Sequence, residues 1–356
     1  MNRAVFYLPG FDPRGERFYK RVFKNELRKF SKSTNQDTNF QQVDSFKYII
    51  KSNTSNCDLF FLNWINIINL IYKKSAFITW VSNLFSTLMI FISNHKSPKN
   101  ILDYKHQLFL LSIILIDSTF FAFIILLVFI PFISGQYVIS IILLVTSIFL
   151  VYLYKKLQNK IIPEKVRLWT QGFISLAYFS KKYKPHFEEN AEKHADIIIN
   201  CLNEGKHDEY ILLAHSAGCY PLIFLLARLP TEHLKKIKII TMGHCIPVYI
   251  NLKHFQENKT NIISSLKKTN TLWLDVYSPA DPVSSRINTE KEFLYLGIDS
   301  KNSKFFNMYE DETYLKLKEN PLAIHFQYIM SGDKPINTLN FYKILTSNNP
   351  INNYEI

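Results

Sequence analysis

The chain has 356 residues, of which 47% are hydrophobic and 15% aromatic, and its formal net charge at pH 7 is +13. This length and apolar content support one large core plus an additional region, and no stretch is rich enough in Gly, Ser or Pro to form a disordered linker. The four cysteines lack the spacing of a metal site. They favour a reducing compartment or a bacterial membrane protein over a disulfide framework.

The N-terminal part of the chain has the pattern of an α/β segment. Residues 4–8 are predicted as a strand that ends at the sequence PGFDPRG. The opening sequence MNRAVFYLPGFD is not expected to be a signal peptide, because its apolar run is short and ends in Pro-Gly. Residues 46–50 and 59–64 are predicted as two further strands. Between the first and second strands a helix is predicted with an apolar face, formed by Phe18, Val22, Phe23, Leu27 and Phe30.

Two long apolar segments follow, residues 108–130 and 137–154, and they contain one charged residue, Asp117. About 20 such residues span the hydrocarbon layer of a membrane, so the pair is predicted to form a transmembrane hairpin around the short joint PFISGQ. Two buried core helices are the alternative, which is disfavoured because neither segment has a polar face. Asp117 is interpreted as protonated or hydrogen-bonded within the hairpin, although intramembrane carboxylates can also mark functional sites.

Basic residues flank the hairpin on both sides and predict its orientation. Because such residues remain on the cytoplasmic side, both soluble parts are expected in the cytoplasm, and an integral protein of a bacterial inner membrane is favoured. Residues 77–94 are uncharged but less apolar. They are interpreted as an interfacial helix, since a third span would separate the two soluble halves. The flanking residues are Lys96, Lys99, Lys105, Lys155, Lys156, Lys160, Lys165 and Arg167.

The remainder of the chain alternates helices with strands. Strands are predicted over residues 211–214, 237–242 and 272–277, and helices over 186–202, 219–229 and near Ile262. This alternation predicts an α/β fold with a doubly wound, mostly parallel sheet. The predicted organisation is one α/β domain in two parts, interrupted by a membrane-associated insertion: residues 1–72, 73–184 and 185–356.

The sequence ILLAHSAGCY, residues 211–220, places Ser216 between a buried apolar strand and a helix. A nucleophilic serine on so sharp a turn needs small residues two positions before and after it, and here they are Ala214 and Gly218. The motif resembles the nucleophile elbow of the α/β-hydrolase superfamily, although glycine is commoner than alanine at the first of these positions. The alternative is an ordinary strand–turn–helix junction with an incidental serine.

A serine nucleophile needs a base, and the base needs an acid that orients it. In the family that the motif resembles, the chain order is Ser, acid, His. His325 is the one histidine that follows both Ser216 and the acidic segment SPADPVS, and it is expected on a late loop. Asp281 in that segment matches the family's acid, whereas Asp275 lies within the preceding strand and is interpreted as a structural carboxylate. The predicted triad is therefore Ser216, Asp281 and His325.

The resemblance also implies two backbone N–H groups aimed at the negative charge that develops on the substrate. Ala217 directly follows the nucleophile, and Phe11 follows Gly10 just after the first strand, where glycine permits close approach. The N–H groups of Ala217 and Phe11 are therefore the predicted donors. A plain Pro-Gly turn is the alternative at Gly10. Asp12 and Arg14 are expected to form an ion pair that makes this loop rigid.

The resemblance covers residues 1–64 and 185–345 and implies serine-based acyl transfer, usually ester hydrolysis, without metal or cofactor. The inserted hairpin is expected to hold the active-site mouth near the inner leaflet, where the surrounding lysines attract anionic headgroups. The expected partner is the lipid bilayer, and the expected substrate is a phospholipid, a lysolipid or another amphiphilic acyl ester. Nucleic acid is not expected, because no basic–aromatic platform or zinc spacing is present. Acyl transfer or thioester hydrolysis on the same triad, and an inactive membrane scaffold, are the alternatives.

Overall fold

A mixed, mostly parallel β-sheet is the framework of the part of the chain that the structure describes. In this computed structural model that part comprises residues 1–72, 104–161, 164–250, 255–287, 291–334 and 340–351. The strands are β1 Asn2–Leu8, β2 Thr38–Gln42, β3 Lys47–Ser52, β4 Asn56–Phe61, β5 Glu209–His215, β6 Ile237–Met242, β7 Trp273–Tyr277 and β8 Asp299–Asn302. They lie in the order β2-β3-β4-β1-β5-β6-β7-β8.

The pairing defines an α/β protein. All neighbouring strands from β4 across β1 to β8 are parallel, whereas β2 pairs antiparallel with β3, and β3 with β4. The mostly parallel sheet is thus confirmed, but the two edge strands, TNFQQ and DSKN, were not predicted. An edge strand has few buried positions, so it lacks the apolar run that identifies a central strand.

Thirteen α-helices can be bounded within the described residues. The predicted helix over residues 186–202 is part of a longer helix, Glu164–Glu204, which begins much earlier and continues through Pro185. Proline removes one backbone hydrogen bond and can kink a helix without ending it. The helices are α1 Gly15–Thr34, α2 Ile65–Tyr72, α3 Tyr104–Ile133, α4 Tyr137–Ile161, α5 Glu164–Glu204, α6 Cys219–Arg228, α7 Thr231–Leu234, α8 Ile246–Tyr249, α9 Gln256–Thr269, α10 Lys291–Leu294, α11 Asp311–Lys318, α12 Pro321–His325 and α13 Phe341–Thr346.

Strands β1 and β5 form the centre of the sheet. They are parallel neighbours, with Leu8 opposite Ala214 in the register, and every residue of β5 is buried. The apolar face predicted for α1 packs on this centre, where Phe23 joins Tyr7 and Leu213 in one core cluster. Since β1 and β5 point the same way, the loops that follow them meet at the same edge of the sheet.

The chain divides into two compact units. Met1–Tyr72 and Phe179–Ile356 form the unit that holds the sheet, and Lys73–Tyr178 form the other. In the second unit α3 and α4 make an antiparallel hairpin. Ser140 Oγ donates a hydrogen bond to Val128 O at 2.9 Å, and the rings of Phe120 and Tyr154 stack with centroids 3.9 Å apart.

The outer surface of the hairpin is apolar. Over Tyr137–Tyr154 the mean hydropathy is 2.4, and only 11% of this stretch is buried. Among the described residues this is the one helix long and apolar enough to cross a membrane, while Ser118–Ile133 forms a shorter apolar stretch. The predicted interfacial helix at residues 77–94, and the side chain of Asp117, lie outside the described part of the chain.

Arg3 and Glu209 form a buried ion pair that joins β1 to β5. Arg3 Nε lies 2.5 Å from Glu209 Oε2, and the two side chains are 1% and 2% exposed. The other oxygen of Glu209 accepts from Lys238 Nζ at 2.6 Å and from the Ile351 N–H at 2.8 Å. Arg3 also donates to the carbonyl oxygen of Asn349 at 2.8 Å. The pair therefore connects the centre of the sheet to the C-terminal segment.

Replacing Arg3 by methionine should lower the free energy of unfolding by about 3 kcal/mol, because it leaves the buried Glu209 carboxylate without one of its two cations. The change can be followed by urea titration with the fluorescence of Trp64 and Trp273, which are buried in the same unit. Lys193→Met is the matched control. It removes a solvent-exposed pair with Glu189 and should change the free energy by about 0.5 kcal/mol or less. Equal losses in the two variants would contradict this account.

Candidate active site

Ser216 lies on a sharp turn between β5 and α6. Its φ is +56°, in the left-handed region that non-glycine residues rarely adopt, and the turn Ser216–Gly218 is a single 3₁₀ segment. Such a conformation costs about 1–2 kcal/mol and persists where the surrounding structure requires it. The strained turn expected from the sequence is therefore present at the serine itself.

Gly218 is required by space rather than by its own φ, which is −61°. A Cβ added there would lie 2.4 Å from the carbonyl oxygen of Leu8 and 2.5 Å from that of Pro9. Contacts this short with backbone atoms cannot be relieved by moving a side chain. The small residue two positions after the serine thus lets the end of β1 approach the turn.

The side chains of Ser216, His325 and Asp281 form one hydrogen-bonded chain. His325 Nε2 lies 2.6 Å from Ser216 Oγ, and His325 Nδ1 lies 2.8 Å from Asp281 Oδ2. All three residues are buried. Because a carboxylate can only accept, Nδ1 carries the proton, and Nε2 then presents its lone pair to the serine hydroxyl. The structure thus brings together the three residues that the sequence grouped as a triad.

A loop holds Asp281, and a short helix holds His325. Asp281 follows β7 in a turn where its own N–H donates to Ser278 O and its Oδ1 accepts from the N–H of Val283 at 3.0 Å. His325 is the last residue of α12, so its expected placement on an irregular loop was wrong. Asn320 caps that short helix through two backbone N–H groups, and Pro321 occupies the first helical position. Asn-Pro is a recognisable start signal that the sequence contained.

Asp275 belongs to a separate buried network. Its carboxylate accepts from His244 Nε2 at 2.7 Å and from Thr241 Oγ1, and also from the N–H of Ile287 and the hydroxyl of Ser300, both at 3.0 Å. It is fully buried on β7. These contacts hold the loop that carries Asp281, so the interpretation of Asp275 as a structural carboxylate agrees with the geometry.

The loop after β1 lies directly against Ser216. A Cβ at Gly10 would be 3.1 Å from Ser216 Cβ and 3.5 Å from Ser216 Oγ, so glycine permits this approach. The expected ion pair is present, with Arg14 Nη2 2.5 Å from Asp12 Oδ2. Ala217 is buried within the serine turn, and Phe11 is buried in the loop after β1. The use of their N–H groups as oxyanion donors stays a prediction.

Neither a metal-binding cluster nor a disulfide occurs among the described residues. In the described residues, no three His, Cys, Asp or Glu side chains form a group that could hold a metal ion. The four thiols are free and buried. Burial raises their pKa, to about 12 for Cys57 and about 11 for Cys201, which makes thiolate nucleophiles scarce at neutral pH.

Sequence reasoning assigned no role to His215, whose ring lies in this site. The ring stacks on that of His325 with centroids 5.3 Å apart, and its Nε2 lies 3.3 Å from the carbonyl oxygen of His325. Its position next to the serine was the available signal.

Comparison of the chain with models of known families, with curated proteins and with solved structures finds no match.

The backbone strain at Ser216 predicts an unusual order of stabilities. Ser216→Gly should be more stable than Ser216→Ala by about 1 kcal/mol, because only glycine adopts a φ of +56° without strain. Urea titration of both variants measures the difference without any need for activity. As a control, Ala217→Gly, at a residue with ordinary φ, should be less stable than the wild type. If the Gly variant at 216 is the less stable of the pair, the turn does not have this conformation in solution.

Proposed function

We propose that the protein is a serine hydrolase of the α/β-hydrolase fold that cleaves acyl esters through Ser216, His325 and Asp281. One observation carries this proposal: the continuous hydrogen-bonded chain from Asp281 through His325 to a serine whose φ is +56°. An incidental serine at a strand–helix junction has no need of a strained backbone or of a buried imidazole at 2.6 Å. Three buried polar side chains that satisfy one another in this order have the roles of nucleophile, base and orienting acid.

Acylation begins with attack of Ser216 Oγ on the ester carbonyl carbon. The hydroxyl proton moves to Nε2 of His325, and Asp281 stabilises the imidazolium through the Nδ1 hydrogen bond. When the tetrahedral intermediate collapses, the bond to the alcohol breaks and Nε2 returns the proton to the leaving oxygen. The alcohol departs, and the acyl group remains on Ser216 as an ester.

Deacylation repeats these steps with water as the nucleophile. His325 Nε2 takes a proton from water, the hydroxide attacks the acyl-serine carbonyl, and the same nitrogen reprotonates Ser216 Oγ as the acid leaves. In both halves the carbonyl oxygen becomes negative, and the N–H groups of Ala217 and Phe11 are the proposed donors. Removing one such donor typically slows an acyl transfer by about 10²–10³-fold.

The fold offers independent support, of a weaker kind. The proposed residues come from loops at the carboxyl edge of a parallel sheet, after β1, β5 and β7, with the base further along the chain. Open α/β sheets bind their ligands at this edge. Because one fold serves many activities, the proposed reaction rests on the side chains, and the fold adds only that such sheets commonly carry sites at this edge.

Ser216→Ala and His325→Ala should each lower the turnover of a p-nitrophenyl ester by about 10⁴–10⁶-fold, and Asp281→Asn by about 10⁴-fold. The double variants should be hardly worse than the single ones, because the three groups act as a unit. Fluorophosphonate labelling should be lost in Ser216→Ala.

Asp275→Asn is the matched control for the acid. It removes a buried carboxylate from the same strand-and-loop region and should lower stability by about 1–3 kcal/mol, while turnover per folded molecule stays near the wild-type value. The opposite pattern, with Asp281→Asn active and Asp275→Asn inactive while folded, would mean that the acid has been assigned to the wrong residue.

The hairpin of α3 and α4 supports a location at the membrane. Its exposed side chains are large and apolar, among them Phe129, Val138, Ile141, Val145 and Ile148. Burying such a surface in lipid is favourable, at about 25 cal/mol per Å² of apolar area, whereas in water it promotes aggregation. The proposed arrangement is a hairpin that crosses the bilayer twice, with its lysine-rich flanks on the cytoplasmic side.

A membrane tether favours a substrate that is itself held in the membrane. Linking a catalytic unit to the bilayer raises the effective concentration of lipid esters without any new contact. The proposed substrates are therefore amphiphilic acyl esters such as phospholipids or lysolipids.

Accessibility of inserted tags tests the topology. An epitope tag inserted after Gly135, in the turn between α3 and α4, should react with antibody on intact cells, because that turn is proposed to face outward. A tag after Gly205, in an open turn of the sheet-containing unit, is the control and should react only after the cells are permeabilised. A protected tag at 135 in cells that express the protein in the membrane would contradict the double crossing.

A further inference from the structure

His215 occupies the space between the nucleophile, the base and the loop after β1. Its ring is 1% exposed. On one side its Nε2 lies 3.3 Å from the carbonyl oxygen of His325. On the other side its Nδ1 lies 3.5 Å from the position of a Cβ at Gly10, and that same position is 3.5 Å from Ser216 Oγ. One imidazole thus contacts the backbone of His325 and borders the space that a side chain at position 10 would enter.

The contact with His325 defines the tautomer of His215. A carbonyl oxygen can only accept, so Nε2 carries the proton and donates it. Nδ1 is then a bare acceptor, and none of the described residues donates a hydrogen bond to it. Burial, and secondarily the neighbouring His325, lowers the pKa of His215 to about 3. The ring is therefore neutral wherever His325 works as a base, and it adds no charge that would oppose the imidazolium of His325.

We propose that His215 is a positioning residue for the reaction. Its Nε2–H donates to the backbone carbonyl of His325, and its ring fixes the separation between that backbone, Gly10 and the serine turn. This role rests on the proposed ester hydrolysis. The base is the last residue of the five-residue helix α12, which is too short to fix a side chain by its own hydrogen bonds. An additional donor from the rigid end of β5 sets the distance between Nε2 of His325 and Ser216 Oγ.

The function requires both the donor and the volume of the ring. A phenylalanine fills the same space but donates nothing, whereas the amide nitrogen of glutamine reaches close to the position of Nε2 and can donate to the same carbonyl. His215→Phe should therefore reduce kcat for a p-nitrophenyl ester by about 10- to 100-fold with KM nearly unchanged, since small misplacements of a base have effects of this size. His215→Gln should restore most of the lost kcat.

His194→Phe is the matched control. His194 is also a buried histidine whose pKa is lowered by burial, to about 4, but it lies on α5 and its hydrogen bond is with the backbone of Asn63. Its replacement should change thermal stability without changing kcat. If His215→Phe keeps kcat within about twofold of the wild type, or if His215→Gln is as slow as His215→Phe, the positioning role is wrong.

A spectroscopic measurement separates this inference from the proposed function. In full-length protein labelled with ¹⁵N-histidine, NMR should show His215 as the neutral Nε2–H tautomer between pH 5 and pH 8. The low-field proton of the bond from His325 Nδ1 to Asp281 should persist in His215→Gln and shift or broaden in His215→Phe. A charged or Nδ1-protonated His215, or an unchanged low-field proton in His215→Phe, overturns the inference. These signals need no turnover, so an ester activity that survives Ser216→Ala would refute the proposed function alone.

Discussion

The arrangement of the site depends on the close approach between Gly218 and the end of β1. The carbonyl oxygens of Leu8 and Pro9 occupy the space that any larger residue at 218 would need. This approach follows from the parallel pairing of β1 with β5, which makes both strands end at one edge. It brings Gly10 against Ser216 and keeps the serine at a φ of +56°. Under the proposed function, backbone packing therefore presents the nucleophile before any other side chain of the site contributes.

The polar side chains of the site are buried, and each depends on a neighbour for hydrogen bonding. An unpaired polar group in this environment would cost about 1–3 kcal/mol, so the chain from Asp281 to Ser216 also stabilises the loops that carry it. Asp275 and His244 do the same for the loop after β7. In a site with little water, fixed dipoles act more strongly on developing charge than they would in solvent. Under the proposed function, the same hydrogen bonds thus meet both structural and catalytic requirements.

The two compact units meet different physical demands. The sheet-containing unit buries its apolar residues and positions polar groups on loops, whereas the hairpin exposes large apolar side chains along α4. Under the proposed function, this division suits a substrate with an ester group and a long acyl chain. The acyl chain favours the bilayer, and the ester must reach a site assembled from loops of a sheet.

Local patterns in the sequence were sufficient to predict the central strands, the apolar face of α1, the serine turn and the three residues of the proposed triad. Each of these depends on residues close together in the chain or on an order of motifs.

The antiparallel edge strand β2, the edge strand β8 and the full length of α5 were missed, because polar edges and a helix that continues through Pro185 have no strong local signal. The choice between Asp281 and Asp275 relied on resemblance until the fold placed each beside a different histidine. The place of His215 between Gly10 and His325 was decided by tertiary structure alone, since three segments distant in sequence meet there only when β1 and β5 pair and α12 packs at their ends.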